Sequence, residues 1–273
     1  MEITGQLRTL GRVGQESLRY RVWPVAEPRA TVVFFNGIMS HSAWFSPLAP
    51  AIGTAGLLMV GADRRGSGPN LEARGDAPSG AVLVDDAIAI IDAEHDDSRP
   101  LVLVGWCWGA TLAVHVSLRL GARIDRLVLV TPGMFPTEEV RVRAAETMAA
   151  AAGAGEDEPC VATPIRESLF TEGPELEGFV MRDDLRLHTM TPRLSMLAGK
   201  LSQIAAMRLP KLTPPILLVL AEHDGATDNA ATLAAFDRLP AGRCTTLMLP
   251  TRHGVAFEAP EALAAAIVAP YPR

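Results

Sequence analysis

Cysteine is scarce in this 273-residue chain: there are three, at positions 107, 160 and 244. Widely spaced and odd in number, they exclude a disulfide framework of the kind that staples small secreted domains. No His and Cys residues stand at metal-ligand spacing, so no metal is expected, and no other cofactor is expected either. No run of 18 apolar residues exists to span a bilayer, and residues 1–20 contain no apolar signal-peptide core. Positive charge is also in short supply. Twenty-five Lys and Arg face 31 Asp and Glu, for a net charge of −6, which argues against nucleic acid and anionic membrane surfaces as partners. The Gly-rich turn Asp63-Arg64-Arg65-Gly66-Ser67-Gly68 lacks the following lysine and helix that a phosphate loop requires. Asp63 and Arg65 read there as turn-stabilising residues. No internal repeat is apparent. The expectation is a soluble protein of the reducing cytoplasm, where a free thiol stays usable.

Hydrophobic residues make up 48% of the chain, enough for a large α/β core carrying an insertion. The most informative stretch is Gly105-Trp106-Cys107-Trp108-Gly109. It follows the apolar strand Leu101–Val104 and opens the amphipathic helix Ala110–Leu120. Strand, tight turn and helix describe a nucleophile elbow, G-x-Nuc-x-G, with cysteine as nucleophile. The turn crowds the nucleophile's Cβ, and glycine two residues to either side relieves that crowding. The alternative is a core cysteine between two packing tryptophans.

Partners for Cys107 follow in the chain. Leu127–Val130 is the next strand. Much later Ile216–Leu220 runs into Ala221-Glu222-His223-Asp224, and Thr245–Pro250 leads into Thr251-Arg252-His253-Gly254. A carboxylate just past a buried parallel strand sits at the sheet's carboxyl edge, where open α/β sheets place their sites. Nucleophile, acid and histidine therefore come in order as Cys107, Asp224 and His253. Asp228 competes for the acid role but suits the N-cap of the helix Ala230–Leu239. His41, His95, His115 and His188 lack an acid and nucleophile in the required order. The strand Thr31–Phe35 ends in Asn36-Gly37-Ile38, and the backbone N–H groups of Ile38 and Trp108 are the expected oxyanion donors. Asn36, Met39, Trp106 and Met134 are candidate substrate contacts.

Taken together, Asn36-Gly37 with His41-Ser42, Asp63-x-Arg65-Gly66-x-Gly68, Val84-Asp85-Asp86, the elbow, Ala221-Glu222-x-Asp224 with Asp228-Asn229, and His253 resemble the α/β-hydrolase superfamily. The resemblance runs nearly end to end and is to the monoacylglycerol lipase and lysophospholipase branch. It implies a mostly parallel twisted sheet flanked by helices, with Asp224 as triad acid and Ile38 following the oxyanion glycine. Two departures stand out. The branch has His-Gly where this chain has Asn36-Gly37, and serine where it has Cys107. A cysteine nucleophile is similar instead to dienelactone hydrolases and polyester synthases of the same superfamily.

Over eighty residues separate Thr131 from Ile216, too many for a simple crossover. The expected division is a core of 1–133 and 209–273 with a helical cap, 134–208, that shields the acyl group from water. Glu138–Ala152 and Arg193–Met207 read as its helices. Residues 156–177 are acidic, whereas Arg182, Arg186, Arg193, Lys200, Arg208 and Lys211 make the later half basic.

At a helix N-terminus and beside a histidine, Cys107 favours a thiolate–imidazolium pair. A thioester intermediate is open to amine and thiol attack, so cysteine raises the odds of acyl transfer or of thioester substrates. The expected activity is acyl processing of a small-molecule ester or thioester, free or carried on CoA or a carrier protein. Hydrolysis ranks slightly above transfer, and a binding protein without turnover remains the reading from another class.

Overall fold

The computed structural model describes residues 2–11 and 17–269. Among these, ten strands form: β1 (Gln6–Leu10), β2 (Leu18–Trp23), β3 (Ala30–Phe35), β4 (Leu57–Ala62), β5 (Leu101–Trp106), β6 (Arg126–Val130), β7 (Val161–Ala162), β8 (Thr189–Met190), β9 (Ile216–Ala221) and β10 (Cys244–Leu249). Eight of them make one sheet in the order β1-β2-β4-β3-β5-β6-β9-β10, while β7 and β8 pair separately. β2 runs antiparallel to both its neighbours, and every other adjacent pair in the large sheet is parallel. Strands β3, β5, β6 and β9 are dominated by Val, Leu, Ile and Phe and are buried along their whole length. That is the pattern of parallel strands covered on both faces. This is the α/β-hydrolase fold.

Register decides where the loops emerge. Phe35 is paired with Gly105, Trp106 with Val130, Val130 with Val219, and Leu249 with Ala221. The carboxyl ends of β3, β5, β6, β9 and β10 are thus level, and the loops that follow them converge on one edge of the sheet.

The helices are α1 (Ala49–Thr54), α2 (Gly80–Glu94), α3 (Trp108–Leu120), α4 (Glu138–Ala150), α5 (Pro174–Arg182), α6 (Pro192–Arg208), α7 (Asn229–Phe236), α8 (Val255–Glu258) and α9 (Pro260–Val268). None is long and apolar enough to cross a membrane among the described residues. Helix α3 packs against β3, β5 and β6, and α6 packs on α3. Thr137, Thr191 and Asp228 cap α4, α6 and α7 with side-chain oxygens, each accepting from the N–H three residues on.

The segment between β6 and β9 is more structured than its sequence suggests. Besides α4 and α6, it contains α5 and the two-residue strands β7 and β8, elements too short for periodicity to reveal. It is tied to the core at several points. The Leu187 N–H donates to Met39 O at 2.8 Å, and Arg74 donates to the carbonyls of Leu185 and Arg186 at 2.7 and 3.0 Å. His41 Nε2 lies 2.7 Å from Asp183 Oδ2, which also accepts the Trp44 Nε1–H at 2.5 Å. His41, without an acid partner by sequence order, therefore finds one in the insert.

Candidate active site

Cys107 occupies the turn between β5 and α3 with φ +56° and ψ −124°, a strained conformation for a residue with a Cβ. The strain persists because its surroundings leave no alternative. The Cys107 N–H donates to Val130 O, while its carbonyl accepts from Ala110 and Gly133, each at 3.0 Å. The flanking glycines are required for space. A Cβ on Gly105 would lie 2.5 Å from Ala110 Cα, and one on Gly109 would lie 2.0 Å from Phe35 O. Both obstacles are backbone and cannot swing aside. Gly109→Ala is expected to cost about 3 kcal/mol by overpacking. Thermal unfolding should show this as a melting temperature lower by roughly 10 °C. A variant that melts with the wild type would show that the elbow is not closely packed on β3.

His253 follows β10 and is fully buried. Its Nδ1 lies 3.0 Å from both carboxylate oxygens of Asp224, at the end of β9. The Asp224 Oδ1 also accepts from the N–H groups of Ala226 and Thr227 at 2.8 and 2.9 Å. Burial pushes the Asp224 carboxyl upward. The facing His253 charge and these two N–H groups outweigh it and hold the acid below the usual carboxylate range. Burial likewise opposes charge on His253, but Asp224 and Cys107 outweigh it and raise the imidazole to about 10. The second ring nitrogen, Nε2, has no fixed hydrogen-bond partner, and the group acting on the ring beside Asp224 is Cys107. Asp224 and Cys107 thus both act on the His253 ring.

Scarce aromatics concentrate around the histidine. The Phe170 and Trp106 rings have centroids 5.3 and 6.2 Å from that of His253. The Trp106 indole N–H donates to His253 O at 3.0 Å, and the insert fastens the same loop through His253 N to Leu169 O and Gly254 N to Phe170 O. Phe170 belongs to the insert, so the histidine's position depends on it.

Ile38 and Trp108 border the same space as Cys107. Gly37 approaches it so closely that a Cβ there would lie 3.2 Å from Cys107 Cβ. Trp108 begins α3, whose first N–H groups have no partner within the helix. A cavity of about 500 Å³ opens over Cys107, Ile38 and Trp108, with Met134, Val140 and Ile165 among its lining residues. Of the four candidate substrate contacts, Met134 lines this cavity and three do not. Trp106 lies under the histidine loop. Met39 is buried and holds Leu187 through its carbonyl. Asn36 is buried and donates Nδ2–H to Gly37 O and Ser40 O, shaping the loop from below. Tryptophan and methionine beside a nucleophile carry no sequence signal of which way they point.

Asp63 accepts from the Ser42 N–H at 2.7 Å and Oγ–H at 2.5 Å, and Arg65 pairs with Asp86 at 2.6 Å. Asp228 caps α7 and lies at the cavity wall, apart from the imidazole. Arg64, between Asp63 and Arg65, carries no sequence signal of its own because it sits inside a turn motif whose other members are structural. It lies directly behind the 36–38 loop.

The family described as "Serine aminopeptidase, S33" matches residues 26–260. The chain belongs to that family. A monoacylglycerol lipase of Mycolicibacterium smegmatis (strain ATCC 700084 / mc(2)155) is 23% identical over 254 residues, covering 91% of this chain and 90% of the lipase. The crystal structure of a monoacylglycerol lipase from Paleococcus ferrophilus superposes with a TM-score of 0.78 at 18% identity, covering 91% of this chain and 96% of that one. A thioesterase domain from the curacin biosynthetic pathway gives 0.70 at 17% identity, covering 97% and 99%. At these identities the solved structures speak for the α/β-hydrolase fold alone. This S33 family member carries Cys107 in its elbow, whereas the family is described as one of serine enzymes.

Proposed function

We propose that the protein processes acyl esters or thioesters through an S-acyl intermediate on Cys107, with His253 and Asp224 completing the triad. The observation that carries this reading is the fully buried His253, paired with Asp224 and acted on by Cys107. In the first half-reaction the Cys107 thiolate attacks the acyl carbonyl and a C–S bond forms. The developing oxyanion is met by the N–H groups of Ile38 and Trp108. The bond to the alcohol or thiol leaving group then breaks, and the His253 imidazolium supplies the leaving group's proton. In the second, His253 takes a proton from water or another acceptor as that nucleophile displaces the thiol. Asp224 orients the ring and balances its charge throughout. No metal or other cofactor has a role in this scheme.

The apolar wall formed by Met134, Val140 and Ile165 suits an acyl chain, and residues 134–208 act as a cap over it. The substrate is a small acyl ester or thioester, and presentation on CoA or a carrier protein fits the thioester arm. Hydrolysis is the first reading and transfer to a non-water acceptor the second, favoured by the chemistry of a thioester intermediate.

Incubation with an activated ester, followed by mass spectrometry, tests the proposal. One acyl group should appear on Cys107, and failure to label would leave a binding protein. Cys107→Ser separates the two branches. The oxyester it forms should keep part of the hydrolysis while losing most transfer to added amines and thiols. The measurement is the ratio of transferred to hydrolysed product from a thioester donor. Free acid as the sole wild-type product, at rates no acceptor changes, would eliminate the transfer branch.

A further inference from the structure

Arg64 lies in the turn after β4, only 4% exposed. Its guanidinium donates to three successive carbonyls of the loop after β3: Asn36 O at 3.1 Å, Gly37 O at 2.9 Å and Ile38 O at 2.7 Å. A fourth bond goes to Ser67 Oγ at 3.2 Å. In a trans peptide the C=O and N–H point in opposite directions. A Gly37 carbonyl held on Arg64 therefore aims the Ile38 N–H away from the arginine. Gly37 is also where the loop meets Cys107, since a Cβ there would lie 3.2 Å from Cys107 Cβ and 3.6 Å from its Sγ. On its other side the guanidinium carbon lies 5.1 Å from the centroid of the Trp108 ring. One buried side chain thus holds the 36–38 loop and rests against the Trp108 ring, touching both residues read as oxyanion donors.

Burial lowers the guanidinium to about 10, with the neighbouring Asp63 acting the other way, so the fork stays cationic at neutral pH. The Asp63 oxygens also accept from the Ser42 N–H and Oγ–H, which fixes the carboxylate beside it.

We propose that Arg64 is a positioning residue of the active site: its fork holds the 36–38 carbonyls so that the Ile38 N–H faces the reacting carbonyl. The proposal rests on the reading of Cys107 as nucleophile. It makes the turn at 63–68 a part of the catalytic apparatus instead of a structural corner.

The test compares Arg64→Met and Arg64→Lys with the wild type in two measurements. One is steady-state turnover of a p-nitrophenyl ester; the other is iodoacetamide alkylation of Cys107, read by mass spectrometry. In Arg64→Met, kcat should fall about 100-fold, the scale of one lost oxyanion donor, with KM changed less than about threefold. Alkylation of a thiol forms no oxyanion, so Cys107 should still alkylate as it does in the wild type. Arg64→Lys retains the charge without the fork, so its kcat should also fall at least about tenfold. A folded Arg64→Met with wild-type kcat, or with turnover and Cys107 alkylation lost together, overturns the proposal. If Arg64→Met does not fold, wild-type kcat in Arg64→Lys overturns it alone. Failure of the nucleophile reading looks different, because then wild-type Cys107 would alkylate no faster than Cys160.

Discussion

Replacing Cys107 with alanine should abolish turnover, a loss on the order of 10⁶-fold in kcat, as when a triad nucleophile is removed, with the fold retained. The substitution deletes one sulfur from a residue whose strained backbone is held by three hydrogen bonds that do not involve the side chain. Melting temperature and circular dichroism should therefore stay near those of the wild type, while acyl labelling at position 107 disappears. Iodoacetamide gives an independent reading on the wild type. Cys107 is buried, whereas Cys160 and Cys244 are partly exposed, so accessibility alone would spare Cys107. Cys244 is moreover a poor nucleophile, since burial raises its thiol to about 11. Fastest alkylation at Cys107 would accordingly report activation by His253. Alkylation ordered by exposure, with turnover surviving in Cys107→Ala, would remove the cysteine from the mechanism.

Asp224→Asn carries the next largest expected loss, about 10⁴-fold by analogy with the same change in a serine-protease triad. The geometry gives the reason. Asp224 Oδ1 is committed to the N–H groups of Ala226 and Thr227, so the amide oxygen of an asparagine would stay there. Its Nδ2 donors would then face His253 Nδ1, which must become an acceptor. The imidazole proton is thereby driven to Nε2, towards Cys107, where the ring has to accept a proton instead of offering one. Asp228→Asn serves as the comparison. Asparagine caps a helix as well as aspartate does, so activity should stay within about threefold and α7 should remain intact. A larger loss in Asp228→Asn than in Asp224→Asn, by steady-state kinetics, would move the acid one helical turn along the chain.

How much of this was legible beforehand differs from element to element. The strands β3, β5, β6 and β9 announce themselves because a strand covered on both faces is apolar throughout. The elbow is legible because its tight turn tolerates nothing larger than glycine at 105 and 109, and that demand is written in residue type. Cys107, Asp224 and His253 can be named because each follows a recognisable strand in a fixed order. The interior of the insert is not legible in the same way. Helix α5 is nine residues long and contains Gly178, and β7 and β8 have two residues each, so no period accumulates. Asn36, Met39 and Trp106 flank the site in sequence, but side-chain direction at a loop is set by neighbours from other elements.

Chain order, spacing and residue type alone determined the parallel strands of the sheet, the turn that carries Cys107, and the pairing of Asp224 with His253. These are local demands, made by backbone space and by burial, and they leave a mark at the residue concerned. The tertiary structure decided the rest. It turned Asn36 and Trp106 into supports, joined His41 to Asp183 across 142 residues, and fastened the His253 loop to Leu169 and Phe170. It also placed Arg64 beneath three carbonyls some 27 residues earlier in the chain. Such long-range pairings satisfy buried charges and carbonyls wherever the fold happens to bring them, and no spacing in the sequence encodes that meeting.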